Sequence, residues 1–278
     1  MGRLDGKVAF ITGAARGQGR SHAVRLAQEG ADIIAIDIAA QIDSVPYQLA
    51  TQEDLNETVQ QVEALGRQIV ASEADVRDYD QLCTALDAGV KELGRLDIVS
   101  ANAGIISFSK LDILEEQAFR DVVDVNLTGV WHTAKAAIPH LRAGGEGGSI
   151  VITSSSGGLR AAQNIGHYVA AKHGLVGLMR TLALELAPDN IRVNSLHPTA
   201  VNTDLVLNNA VYRLFAPDLP EDQLNESIYA ERSLVLNALP VPWVEAIDVS
   251  NALLWLASSE ARFVTGVALP IDAGANIK

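Results

Sequence analysis

The 278 residues carry 21 Lys and Arg against 34 Asp and Glu, a formal net charge of −13, with 48% apolar side chains and a single cysteine, Cys83. That apolar share supports a sizeable core and excludes a disordered chain, while the acidic balance, without any basic cluster, argues against nucleic acid or anionic lipid as a partner. One cysteine permits neither an internal disulfide nor a thiolate metal cluster, and the apolar run Val8 to Ala15 is too short to span a bilayer, so the expectation is a soluble, cytoplasmic protein without a membrane partner.

Near-continuous β-branched runs recur along the chain at Val8 to Ile11, Ala31 to Ile36, Gln68 to Ala71, Leu96 to Ser100, Ser149 to Thr153, Ile191 to Leu196 and Val267 to Ile271. Between them lie helical patterns at Gln18 to Gln28, Glu53 to Leu65, Gln81 to Leu93, Glu116 to His140, Gly166 to Leu186 and Glu245 to Leu256. Continuous apolar strands are those covered on both faces, and strict strand–helix alternation builds right-handed βαβ units. The pattern predicts an α/β fold: one domain over residues 1–278, doubly wound around a parallel sheet of about seven strands with helices on both faces.

Two stretches break the rhythm. Residues 38–50 form an extended, Pro46-containing loop ahead of a helix that Thr51 and Asp54 are spaced to cap. Residues 199–244 hold four prolines and many large apolar side chains, among them Leu205, Val206, Leu207, Val211, Tyr212, Leu214, Phe215, Ile228, Tyr229, Leu234, Leu236 and Trp243. A segment of that length inside a compact domain reads as a substrate lid.

The first strand runs into Gly13-Ala14-Ala15-Arg16-Gly17-Gln18-Gly19, a turn that opens a helix. Glycines there let a pyrophosphate approach the helix N-terminus, whose free N–H groups and dipole favour an anion. By itself the Gly-x-x-x-Gly-x-Gly spacing is equally compatible with a structural turn; its context adds weight. Asp37 ends the second strand, 18 residues after Gly19, where a carboxylate takes both hydroxyls of an adenosine ribose and repels a 2′-phosphate. This favours NAD over NADP, although Arg16 and Arg20 supply guanidinium groups suited to a 2′-phosphate. Asp75 and Val76, after the third strand, and Asn102-Ala103-Gly104, after the fourth, fall on the same carboxyl rim, with Asp75 placed for the adenine edge. Asn102 equally suits a turn residue holding its own backbone.

Tyr168 and Lys172 stand four apart on one helix face. A phenol is a poor base near neutrality, but a neighbouring ammonium stabilises the phenolate, so the pair suits proton abstraction from an alcohol. Ser155, thirteen residues before Tyr168, reaches the same rim, and Asn126 lies in the preceding long helix, placed to anchor a water or the lysine. Taken singly, each also fits ordinary packing.

Together, Thr12-Gly13, Gly17, Gly19, Asn102-Ala103-Gly104, Asn126, Ser155 and Tyr168-x-x-x-Lys172 resemble, in order and spacing over nearly the whole chain, the short-chain dehydrogenase/reductase family. The resemblance implies Tyr168 as catalytic acid/base and Lys172 as a ligand of the nicotinamide ribose. It gives Ser155 the orientation of the substrate oxygen and Asn126 the support of a proton relay. It puts Arg16 and Gln18 with the glycines at the cofactor, Pro198 and Thr203 near the carboxamide, and makes a homotetramer through the long helices the expected assembly. The stretches Gly13 to His22 and Ile36-Asp37-Ile38, the extended loop and Asp272-Ala273-Gly274 are similar to the carveol-dehydrogenase-like, mycofactocin-associated branch. That likeness implies an apolar, terpenoid-type secondary alcohol, tightly held NAD and a redox-peptide electron acceptor. The large side chains of the lid, with Ile106, Phe108 and Leu159, suit an apolar pocket, and suit core or subunit packing as well.

His22, His132, His140, His167, His173 and His197 form no metal-ligand spacing, so no metal is expected, and His167 reads as surface or pocket-wall packing. Ser154-Ser155-Ser156 lacks the flanking glycines of a nucleophile elbow, which removes acyl hydrolysis. The rival readings are an NAD redox sensor without turnover and a same-fold epimerase or dehydratase.

Overall fold

A computed structural model describes residues 2–278; Met1 lies outside the described residues. Strands β1 (Val8–Thr12), β2 (Asp32–Asp37), β3 (Ile69–Glu73), β4 (Ile98–Ala101), β5 (Gly148–Thr153), β6 (Ile191–Pro198) and β7 (Ala268–Ile271) form one parallel sheet in the order β3-β2-β1-β4-β5-β6-β7. The order reverses between β1 and β4, and the crevice at the carboxyl ends of these two strands is where such sheets bind ligands. Every residue of β1 and β4 is buried, as continuous apolar strands require.

Helices α1 (Gly17–Gln28), α2 (Gln52–Glu63), α3 (Tyr79–Leu93), α4 (Glu116–Val123), α5 (Gly129–Gly144), α6 (Gly166–Leu186), α7 (Asn209–Phe215), α8 (Glu226–Ser233) and α9 (Ala246–Ala257) complete the chain. Packing of α1 against α2 and α9 covers one face of the sheet, while α3, α5 and α6 cover the other, so two apolar layers sandwich it. The Thr51–Asp54 capping box forms as its spacing predicts.

The single helix expected over Glu116 to His140 is instead α4, a π-helical turn at Asp124–Thr128, and α5. Asn126 explains the widening: its Nδ2 donates to the carbonyls of Val122 and Ile105, both at 2.8 Å, which draws backbone oxygen away from the regular ladder. Strand β3 continues two residues beyond the predicted Ala71, because Ser72 and Glu73 pair with Ile36 and Asp37 on an edge strand where polar side chains can face outward.

The extended loop is packed rather than splayed, with Ile42, Val45, Tyr47 and Ala50 buried. Residues 201–244 leave and rejoin the body through a narrow neck, where Val244 N–H donates to Ala200 O at 3.0 Å and Asn202 N–H to Val244 O at 2.9 Å. Beyond that neck α7 and α8 form a satellite cluster in which Tyr229 stacks on Trp243 at 5.9 Å and meets Phe215 edge-on at 5.0 Å.

Candidate active site

Two adjoining cavities open at the carboxyl rim. The first is a cleft lined by Gly13, Arg16, Gly17, Gln18, Gly19, Asp37, Asp75, Val76, Asn102, Ala103, Gly104 and Thr203, with Tyr47 and Leu49 from the extended loop over it. The turn is tight for physical reasons. Gly13 has φ +66 and an added Cβ would lie 2.8 Å from Ala103 Cα, while a Cβ on Gly19 would lie 1.9 Å from Gly13 O. Asn102 is the residue that pins this turn, donating to Thr12 O at 3.1 Å and Gly13 O at 3.3 Å, and Thr12 Oγ1 accepts from the N–H groups of Asn102 and Ala103.

Asp37 is buried, with Oδ2 accepting from Ala15 N–H at 3.0 Å and Oδ1 from Ala39 N–H at 3.2 Å. Burial pushes its carboxyl above the ordinary range, opposed by those N–H groups and by Arg16. Asp75 lines the far end of the cleft but is engaged by Arg77, whose Nη2 is 2.7 Å away. Arg20, counted with Arg16 as a candidate for a 2′-phosphate, is committed elsewhere: it donates to Ala15 O, Asp54 O and Thr58 Oγ1 and pairs with Glu57 at 2.8 Å. Arg16 spans the cleft mouth, donating to Gln48 O on one side and pairing with Asp204 at 3.3 Å on the other.

The second cavity, of about 510 Å³, brings together Asn126, Ser155, Tyr168, Lys172, Pro198 and Thr203 with apolar side chains from the excursion, including Leu205, Val211, Leu214, Phe215, Tyr229 and Leu236. Ile106 and Phe108 line it as expected, but Leu159 does not: it follows the tight turn after Ser155, points outward and is 39% exposed. Leu234 likewise faces outward, at 40% exposed, and Trp243 packs behind Tyr229 rather than lining the cavity. His167, expected at the surface or the pocket wall, is fully buried, with Nε2 2.8 Å from Ser107 Oγ, because α6 turns that face toward the segment after β4.

Lys172 Nζ donates to Thr153 O at 2.8 Å and sits 5.5 Å from the centre of the Tyr168 ring. Burial pulls the Lys172 ammonium down to about 7. It pushes the Tyr168 phenol up, against the hydrogen bond from Ser155. Ser155 Oγ accepts from Gly157 N–H at 3.0 Å, leaving its proton to donate. Asn126 Oδ1 is buried without a protein partner, and an added Cβ at Gly104 would lie 2.8 Å from it and 3.5 Å from Lys172 Nζ. The two polar atoms therefore face one small space beside Gly104.

Sequence reasoning missed Tyr47, Asp204 and His197. His197 Nδ1 is 2.8 Å from Ser155 O. The one signal in the sequence was its position immediately before Pro198 at the end of an apolar strand.

A glycine turn at the switch point of a doubly wound sheet, opening onto a Tyr–Lys–Ser wall inside an apolar cavity, defines an oxidoreductase of the nucleotide-binding kind. The chain matches the short chain dehydrogenase family over residues 7–210 and belongs to it, as the sequence resemblance implied. It is 56% identical over 280 residues to (-)-trans-carveol dehydrogenase of Rhodococcus erythropolis, covering 100% of both chains. Among solved structures it superposes with a TM-score of 0.98 on carveol dehydrogenase from Mycobacterium avium in complex with NAD, at 56% identity and 100% coverage of both. A short chain dehydrogenase from Mycobacterium paratuberculosis bound to NAD gives a TM-score of 0.91 at 46% identity, again covering 100% of each chain.

Proposed function

We propose that this chain is an NAD-dependent dehydrogenase that interconverts an apolar, terpenoid-type secondary alcohol and its ketone. The observation that carries the reading is the meeting of Ser155, Tyr168 and Lys172 on the wall of a largely apolar cavity that adjoins the glycine-turn cleft. Relatives whose structures contain NAD share this fold throughout.

The residues present fit the cofactor. Gly13, Gly17 and Gly19 with the start of α1 would hold the pyrophosphate, Asp37 the adenosine ribose, Asp75 and Val76 the adenine, and Asn102 to Gly104, Pro198 and Thr203 the nicotinamide half. When bound, NAD supplies the acceptor for the hydride of the carbinol carbon. Ser155 donates its free proton toward the reacting oxygen and orients it. Tyr168 removes the hydroxyl proton as a phenolate, favoured by Ser155 and by the charge on Lys172. Asn126 Oδ1 and Lys172 Nζ face the space through which that proton would pass on toward solvent. The lid at 199–244 excludes water and gives the substrate its apolar wall.

The finer reading is that NAD is held tightly and is reoxidised in place by a redox peptide of the mycofactocin kind. Its support is the extended loop, which covers the cleft and is fastened at three places. Ser44 Oγ donates to Asp121 at 2.7 Å, Ile106 N–H donates to Tyr47 Oη at 3.2 Å, and Arg16 reaches Gln48 O. A homotetramer is favoured by exposed apolar side chains on the long helices, such as Trp131 and Leu184, and by Phe263. Cytoplasmic residence rests on the single cysteine; among the described residues no helix is long and apolar enough to cross a membrane.

The deciding experiment is mass spectrometry and absorbance of the purified protein before and after adding a panel of apolar secondary alcohols without free NAD. Copurified NAD that is reduced once and stays bound supports the full reading. Steady release of NADH only when free NAD is supplied retains the dehydrogenase and removes the tightly held cofactor. No reduction under either condition overturns the activity.

A further inference from the structure

Strand β6 ends in Ser195-Leu196-His197-Pro198, and alternation places Ser195 and His197 on the same face of the sheet. The His197 side chain is completely buried, which is costly for an imidazole unless both nitrogens are satisfied. Both are. Nδ1 lies 2.8 Å from the carbonyl oxygen of Ser155 and Nε2 lies 2.8 Å from Ser195 Oγ. A carbonyl only accepts, so Nδ1 carries the proton, and the Ser195 hydroxyl donates to Nε2 and locks that tautomer.

What this bond holds is the turn that presents the Ser155 hydroxyl. The sheet ladder stops one residue earlier, where Ser154 N–H donates to Leu196 O at 2.8 Å. Ser155 itself leaves the strand, and two of its hydrogen bonds are local to its own turn: its carbonyl accepts from Gly158 N–H at 2.8 Å and its Oγ from Gly157 N–H at 3.0 Å. The bond from His197 is the one that ties the Ser155 backbone to another element, 42 residues away. Ser154 Oγ donates to Lys172 O at 3.0 Å and ties the foot of the turn to α6; the His197 bond fixes the Ser155 carbonyl one residue on, from the side of β6.

We propose that His197 is a positioning residue for the reaction: its Nδ1–H anchors the Ser155 carbonyl to β6 and thereby sets the distance from the Ser155 hydroxyl to the Tyr168 phenol. The proposal rests on the reading of Ser155 and Tyr168 as the hydrogen-bonding and proton-transfer groups. The imidazole works in its neutral form: burial lowers its pKa, opposed by the bond to Ser155, and Lys172, His173 and Arg180 around it add to the lowering. Around the phenol the titratable groups are Lys172 on α6 and Tyr47 from the extended loop.

Three variants separate positioning from packing. His197→Phe keeps the ring volume and removes both hydrogen bonds; His197→Gln reaches the Nε2 position and loses Nδ1; His197→Asn places an amide N–H close to where Nδ1 lies. Expected for Phe and Gln is a fall of about tenfold in kcat with KM for the alcohol within about twofold, and recovery of most of kcat in Asn. Because the Ser155 hydrogen bond favours the phenolate, the acid limb of kcat/KM should move to higher pH in Phe and Gln and return in Asn. The same shift is read without any substrate as the ultraviolet titration of the Tyr168 phenolate, taken as the difference from Tyr168→Phe in each background. If the parent chain oxidises no secondary alcohol, the function proposed above fails while this titration still decides the role of His197. An unmoved phenolate titration in all three variants overturns the proposal. So does an Asn variant no better than Phe, with both losing melting temperature equally.

Discussion

Lys172 Nζ donates to the Thr153 carbonyl at 2.8 Å and stands 5.5 Å from the centre of the Tyr168 ring, so the end of β5 fixes the amine beside that ring. The helix alone gives this pair its common face; the strand gives it its distance.

Tyr168→Phe keeps the ring and removes the phenol oxygen proposed to accept the proton. The expected result is a loss of about 10²–10⁴-fold in kcat with NAD content unchanged, measured by turnover and by the absorbance of the purified variant. Activity within tenfold of the parent would remove Tyr168 from proton transfer.

Lys172 also makes stability depend on pH. Its folded pKa is pulled to about 7 by burial against an ordinary value of 10.5, so between these values the unfolded chain binds the extra proton. The stability associated with this group is complete above pH 10.5 and is lost as pH falls toward 7. Lys172→Met should therefore raise the melting temperature at pH 7 and flatten its rise toward pH 10, relative to the parent at equal NAD occupancy, while turnover collapses. Parallel melting curves for the two proteins across that range would contradict the assignment.

Asp37 holds Ala15 and Ala39 N–H groups and also lines the cleft, so its charge is tested best without disturbing its shape. Asp37→Asn should lower the NAD-to-NADP ratio of kcat/KM by about tenfold, since one repelling charge is removed near a 2′-phosphate. Burial raises the Asp37 pKa, so the carboxylate is protonated more readily and the parent's preference for NAD should weaken as pH falls. A ratio independent of both changes would show that another group reads the ribose.

Ser44 and Tyr47 fasten the extended loop over the cleft, to Asp121 and to Ile106 N–H. Each hydrogen bond is worth about 0.5–1.5 kcal/mol, so Ser44→Ala with Tyr47→Phe should speed the loss of bound NAD by about tenfold. The rate is read by dialysis against competing nucleotide followed by absorbance. Unchanged retention would mean that the loop does not hold the cofactor.

The order of strands and helices, the glycine turn, Asp37 and the Tyr168–Lys172 pair were all present in the sequence, because each is set by residues near one another along the chain: apolar periodicity, backbone permissiveness and a four-residue helical spacing. Leu159 and His167 mark the limit of that reasoning. Whether a side chain beside the rim turns into a cavity or away from it depends on the path of a tight turn and on what packs behind the helix. The π-helical turn around Asn126 likewise depends on the Ile105 carbonyl, 21 residues away, competing for its amide. Arg20 had the charge to bind a phosphate, but Asp54, Glu57 and Thr58 on α2 had already taken it. His197 gained its place from the adjacency of β5 and β6, and only the folded sheet brings its imidazole to the Ser155 carbonyl. Local chemistry was written in the chain; which groups meet, and which are already spent on other partners, was decided by contacts between elements far apart in it.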